Sequence, residues 1–248
     1  MRYERIAGKR LGRAMRARGS DGRTRVSRVA GWWRCALALL LICIAMPGMA
    51  FKPDTHLWVG QEVINDLEDD GKINIVLYGR TVQLPIRPDV RDAILQNRNE
   101  YLLGHLGPDV MPDVIVGQSL MHPDTQIPGA WKPNDWMKYL QQVSASHPKG
   151  KAYTYGHLGH ASGDLFAHTY VNQYAGNVFS LFDDEVLVET RHFALENYIG
   201  LRTPRLRNRQ GQPLGEFYAA VRQSPELNNF IRDTLIYDPR ASQQYQAA

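Results

Sequence analysis

Metal-binding side chains recur at intervals of four near the middle of the chain. In Gly156-His157-Leu158-Gly159-His160-Ala161-Ser162-Gly163-Asp164-Leu165-Phe166-Ala167-His168, the residues His160, Asp164 and His168 stand at i, i+4 and i+8. On an α-helix, residues four apart share a face, with Cβ atoms about 5–6 Å apart. A helix here lines up an imidazole, a carboxylate and a second imidazole. Arg191-His192-Phe193-Ala194-Leu195-Glu196 sets His192 and Glu196 four apart as well. Nitrogen and carboxylate donors without thiolate suit zinc. One such pair alone is commonly a solvated helix face or a cap. Two pairs, flanked by Leu158, Leu165, Phe166, Phe193, Ala194 and Leu195, imply largely buried helices, and buried ionisable groups need a partner such as a metal.

The elements that must carry these residues read as mostly helical. Amphipathic or helical patterns cover residues 56–67, 89–103, 113–121, 136–143, 152–174, 185–199 and 216–237. Pro133-Asn134-Asp135 is a start signal for the fourth. The β-like stretch is 73–86, where two apolar runs flank Tyr78-Gly79-Arg80, so a hairpin turning at Gly79 is expected. The fold class is all-α, a multi-helix domain over residues 51–248 with a small hairpin near 73–86.

Composition narrows the function classes. Residues 1–50 hold 11 of the 29 Lys and Arg but only Glu4 and Asp21 among acids, so residues 51–248 carry 18 basic against 23 acidic groups, a net of −5. A basic nucleic-acid-binding face is not expected on such a body. Both cysteines, Cys35 and Cys43, lie in the first fifty residues, which excludes a disulfide framework, a zinc finger and a cysteine nucleophile from the rest. Those fifty residues run from an Arg-rich stretch to an uncharged run at 35–46 and then Pro47-Gly48-Met49-Ala50. That order is the pattern of a secretory signal, and cleavage after Ala50 would export a chain beginning at Phe51, to the periplasm or outside the cell.

Further motifs resemble those of the bacterial zinc-dependent phospholipase C family, whose fold is shared with the S1/P1-type nucleases. The resemblance covers residues 51–200. Thr55-His56-Leu57-Trp58-Val59 is similar to the family's first-helix histidine motif. Gly107-Pro108-Asp109 resembles the segment with its metal-binding Asp, and Leu120-Met121-His122-Pro123-Asp124 the segment with the next His. His160 and Asp164 match its His-x-x-x-Asp helix, and His192 and Glu196 its His-x-x-x-Glu helix. His168 matches the intervening His, although it follows the Asp by four residues rather than six.

The resemblance implies two or three zinc ions. One would take Asp109, His122, His160 and Asp164, and a second His168, His192 and Glu196. A third would share Asp164, use His56, and be completed by the backbone amine and carbonyl of Phe51 as N-terminal residue. Two zincs about 3.5–4 Å apart hold phosphate oxygens and activate water, so the implied reaction is phospholipid hydrolysis to diacylglycerol and a phosphorylated head group. Asp109 is the implied general base as well as a ligand. The implied partner is a phospholipid or membrane surface, with nucleic acid disfavoured by charge.

Departures and alternatives stand beside that reading. Val110 and Ser119 occupy positions that are aromatic in choline-preferring members, so a cation–π cage for a quaternary ammonium is not expected. The short spacing from Phe51 to His56 matches the nuclease branch, which keeps a nuclease open. A non-catalytic zinc- or lipid-binding module is the other class. His105 and His157 are expected at the surface or in packing, His147 in an exposed loop, Trp58, Trp131 and Trp136 in packing, and the 202–209 arginine cluster in a solvated linker.

Overall fold

A computed structural model describes residues 53–110, 129–177, 186–216 and 220–247. The expected signal segment, Phe51, His122 and the helix expected at 113–121 lie outside the described residues. Two core clusters share one pair of central helices. The described chain is predominantly helical, with eight α-helices and one two-stranded antiparallel sheet. Helix α1 spans Pro53–Asp69, and the hairpin follows as β1 (Lys72–Leu77) and β2 (Arg80–Pro85). Then come α2 (Pro88–Gln96), α3 (Arg98–Val110), α4 (Pro133–Ser144), α5 (Pro148–Ala175), α6 (Val186–Arg202) and α7 (Pro225–Ile231). A π-helical turn, Arg232–Ile236, leads into α8 (Pro239–Ala247).

Local chemistry explains where these elements begin and end. The hairpin turns at Tyr78 (φ 51°) and Gly79 (φ 74°), the paired positive angles of a type I′ turn. Helix α4 starts as expected behind Pro133, and Asp135 Oδ2 accepts the Lys132 backbone N–H at 3.1 Å. Helix α5 begins a turn earlier than expected. His147 is its N-cap, half-buried rather than in an exposed loop, and its Nδ1 accepts the Gly150 N–H at 2.9 Å. Gly176, at φ 103°, ends the helix in the left-handed conformation.

Two expected helices are shorter or broken. The 89–103 helix is two helices, because Asn97 leaves helical geometry (φ −131°, ψ 53°) and its side chain donates to the Ala93 carbonyl at 2.9 Å. Such a side-chain bond offers the backbone an alternative to the helical ladder. The 216–237 helix is interrupted before Pro225, because a residue before proline is pushed to extended angles; Ser224 (φ −121°) caps a new helix there. The 202–209 arginines are exposed as expected, and among them Arg209 pairs with Asp69 and donates to the Glu68 carbonyl.

The first core cluster joins Trp136, Tyr139 and Leu140 of α4 to Leu227 and Phe230 of α7. Trp131 and Trp136 pack edge to face there, ring centroids 4.9 Å apart. The second joins Leu57 and Ile64 of α1, Val90 and Ile94 of α2, and Leu206. Helices α3 and α5 supply both, through Leu103 and Tyr153 on one side and Tyr101, Leu106 and Ala152 on the other. Their backbones touch: a Cβ on Gly104 would lie 2.9 Å from the Gly156 Cα, and the reverse holds for Gly156. Glycine at both positions permits that approach.

Candidate metal centre

The helices deliver the spaced residues to one another. His160 and Asp164 are 1% and 4% exposed on α5, and His192 and Glu196 are 0% and 3% exposed on α6. His56 of α1 and Asp109 of α3 arrive from elsewhere in the chain, 2% and 1% exposed. Two groups of donors form. In the first, ligand atoms of His56, Asp109 and His160 lie within 4.8 Å of one another; in the second, those of His168, His192 and Glu196 do.

Asp164 ties the first group together. Its Oδ1 is 3.2 Å from His56 Nε2, and its Oδ2 is 3.0 Å from His160 Nε2. Asp109 Oδ1 is 3.7 Å from the same His160 nitrogen. The His56 and His160 rings stack at 3.8 Å. In the second group His192 Nε2 is 2.6 Å and His168 Nε2 4.0 Å from Glu196 Oε1. The resemblance assigned His56 and Asp109 to different ions. The structure converges them on one group, and Asp164 touches both of its imidazoles.

The tautomer of His160 is fixed by its neighbour. Nδ1 lies 2.7 Å from the His105 backbone carbonyl, which can only accept, so Nδ1 carries the proton. In the neutral ring Nε2 is then a lone pair. That position lies 3.0 Å from Asp164 Oδ2, close enough for a proton or a cation to be shared between the two. Two acceptors that close repel unless a proton or a cation lies between them. A histidine with one nitrogen on a backbone carbonyl and the other turned toward carboxylates is the usual arrangement around a bound metal.

Electrostatics point the same way. Burial, reinforced by His160, pushes His56 down to about 4. His168 and His192 are lowered by burial. Burial opposes ionisation of Asp164, but hydrogen bonds and charge from His160 and His56 outweigh it and hold its carboxyl well below the usual range. Burial likewise opposes charge on His160, and Asp164 and Asp109 outweigh it and raise it. His56, His168 and His192 are thus held as neutral imidazoles beside ionised carboxylates, the form in which both types ligate metals, while His160 carries a proton that a bound metal would displace. The donor set of nitrogens and carboxylate oxygens fits zinc.

Some expectations fail. Leu165 and Phe166 are 76% and 78% exposed, so one face of the second half of α5 is bare, while Ala167, Val171 and Ala175 on the other face are buried. Of the two placements expected for His105 and His157, surface or packing, both take the packed one and are buried. His105 is wedged between Gly60 and Gly159, where any Cβ would collide with its ring. Its backbone carbonyl orients His160, a contribution that no side-chain pattern announces. His157 Nδ1 packs at Gly107 beside the Tyr153 hydroxyl, outside both donor groups. No family, curated protein or solved structure compared with this chain matches it.

Proposed function

We propose that the chain is an exported zinc-dependent phosphodiesterase acting on phospholipids, with the fold and family of the zinc-dependent phospholipases C. The observation that carries this reading is the sharing of Asp164 between His56 and His160, at 3.2 and 3.0 Å, beside a second donor group one helical turn further along α5. A carboxylate so placed can serve two adjacent ions, the layout that phosphoester hydrolysis by paired metals requires. His56, Asp109, His160 and Asp164 would hold one group of ions, and His168, His192 and Glu196 another. Phe51 and His122 complete the set by resemblance.

Zinc in these groups supplies Lewis-acid polarisation of the phosphoryl oxygens and acidifies water. The chain's own residues do the rest. The His105 carbonyl holds His160 in the Nδ1–H tautomer, so its Nε2 faces the centre. Asp109, buried at the end of α3, is the carboxylate assigned to take the proton of the attacking water. Diacylglycerol leaves, and the phosphate stays with the head group.

The test is an assay of purified protein on a phospholipid panel and on single-stranded DNA, with and without chelator. Chelator-sensitive release of diacylglycerol, without DNA cleavage, is expected. Net −5 over residues 51–248 favours a lipid over a polyanion. DNA cleavage in place of lipid hydrolysis would move the assignment to the nucleases. Bound zinc with neither activity would make the chain a binding module.

A further inference from the structure

A second concave site lies outside the donor groups. A cavity of about 470 Å³ opens between α1, the base of the hairpin, α2 and α5. That volume is ordinary for a small-ligand pocket. Val63 of α1, Ile73 and Ile86 at the hairpin base, Val90 of α2 and Leu158 of α5 make its walls. Among the described residues, Arg87 is the one charged residue in the lining. Its guanidinium is already held by both Asp89 oxygens, at 3.1 and 2.9 Å, and Asp89 takes Lys151 as well. The cavity therefore offers apolar walls and no unmatched charge. We propose that it binds an aliphatic chain of a lipid, which continues along the apolar face of the hairpin.

The hairpin register carries the choice of ligand. Ile73 pairs with Leu84, Ile75 with Val82 and Leu77 with Arg80. Side chains alternate across a strand, so these residues form one largely apolar face. The opposite face is mixed: Gln83 accepts from Lys72 at 3.0 Å and donates to Asn74 at 3.2 Å, with exposed Val76 beside Thr81 at its outer end. The apolar face starts inside the cavity at Ile73 and runs out to Leu77, Val82 and Leu84, which are 49%, 38% and 41% exposed. From Ile73 to Leu77 is four steps of about 3.4 Å, a track of about 14 Å. A compact ring would fill the cavity and leave that track bare. A long flexible chain uses both, and needs no polar partner along the way.

The cavity also backs onto the donor groups. Tyr101 and Gly159 line it, and both pack on the His105 ring, Tyr101 edge-on at 4.9 Å. The inference goes beyond phosphoester hydrolysis and does not depend on it, because chain binding is read without turnover.

The full chain is titrated by calorimetry with monoacylglycerols carrying octanoyl, decanoyl and dodecanoyl chains, each below its micelle concentration. Affinity should rise about fifteenfold per pair of added methylenes, the conversion of about 0.8 kcal/mol for each. Ile86→Trp fills the cavity from the hairpin side and Val63→Phe from α1. Either should weaken the dodecanoyl compound at least tenfold, with melting temperature and zinc content unchanged, and chelator should leave the wild-type affinity in place. An affinity independent of chain length, fillers that fold and bind like wild type, or binding abolished by chelator would each overturn the proposal. Chain binding without any hydrolysis of phospholipid would remove the hydrolytic reading and leave this one standing.

Discussion

Asp164 is the residue on which both imidazoles of the first donor group depend. Asp164→Asn keeps its size but removes a negative charge from among closely spaced cations, whose mutual repulsion is then less compensated. We expect loss of at least one zinc and a fall in turnover of about a hundredfold or more. His157→Ala, one turn away, empties a buried site against Gly107 and Tyr153, so it should lower the melting temperature yet keep its zinc. Zinc content and turnover of the two variants decide the matter. A larger zinc loss in His157→Ala would move the centre to that residue. The buried imidazoles also set a pH dependence. Burial lowers His56 to about 4 and His157 to about 3, from 6.5 in the unfolded chain. Between those values the unfolded chain holds more protons, so stability rises with pH. The contribution is complete above about 6.5 and is lost as pH falls through about 4, on the order of 3 kcal/mol for His56 alone. His160, raised by Asp164, acts oppositely, but its contribution is lost only as pH rises past its own pKa. Urea unfolding of metal-free protein should therefore show a clearly lower midpoint at pH 4.5 than at pH 7.5, and equal midpoints would contradict neutral buried histidines.

At the scale of elements, the crossing of α3 and α5 and the tip of the hairpin make opposite predictions. Gly104→Ala drives a methyl group into the α5 backbone at Tyr153 and Gly156. Neither neighbour is a flexible side-chain end, so the cost should reach about 3 kcal/mol, the upper part of the overpacking range. At the hairpin tip Tyr78 sits at φ 51° with its side chain fully exposed. Tyr78→Asn, which suits the turn, should raise stability by up to about 1 kcal/mol. Thermal melts of both variants check the two signs together. Which elements were legible in the sequence follows from where their signals reside. The hairpin at Gly79, the start of α4 and the i, i+4 donors on α5 and α6 are local patterns, and each was read from its own neighbourhood. The break at Asn97 depends on one side chain turning back on Ala93, and periodicity does not register it. His56 and Asp109 stand far from α5 in sequence and entered only through resemblance. The His105 carbonyl is a backbone atom and has no residue signature at all. Leu165 and Phe166 are apolar yet exposed because they lie on the face of α5 opposite Ala167, Val171 and Ala175, and residue type alone does not say which face is covered.

For the whole molecule, donors from α1, α3, α5 and α6 meet in one region, and residues 51–248 contain no cysteine to tie those helices covalently. Metal bound to the folded arrangement adds directly to folding stability. Excess chelator should lower the melting temperature by about 10 °C or more, a shift worth at least several kcal/mol at this size. An unchanged melt with metal loss verified by elemental analysis would show that the packed cores alone hold the fold. Hydrogen exchange should locate the loosening in α6, which meets the rest of the described chain through α5 and α1, rather than in the doubly packed α3.

The glycine contact between α3 and α5 has a consequence for motion. With no side chain between Gly104 and Gly156, nothing at the crossing can change rotamer, and the two backbones travel together. Asp109, His160, Asp164 and His168 ride on that single body. Helix α6 meets it through side chains, which can slide and re-seat. Any opening of the second donor group should therefore be a swing of His192 and Glu196 away from His168, with the spacing of His160 from Asp109 constant. One jaw would be fixed and the other hinged, and relaxation-dispersion signals should gather on α6 and be absent at the crossing.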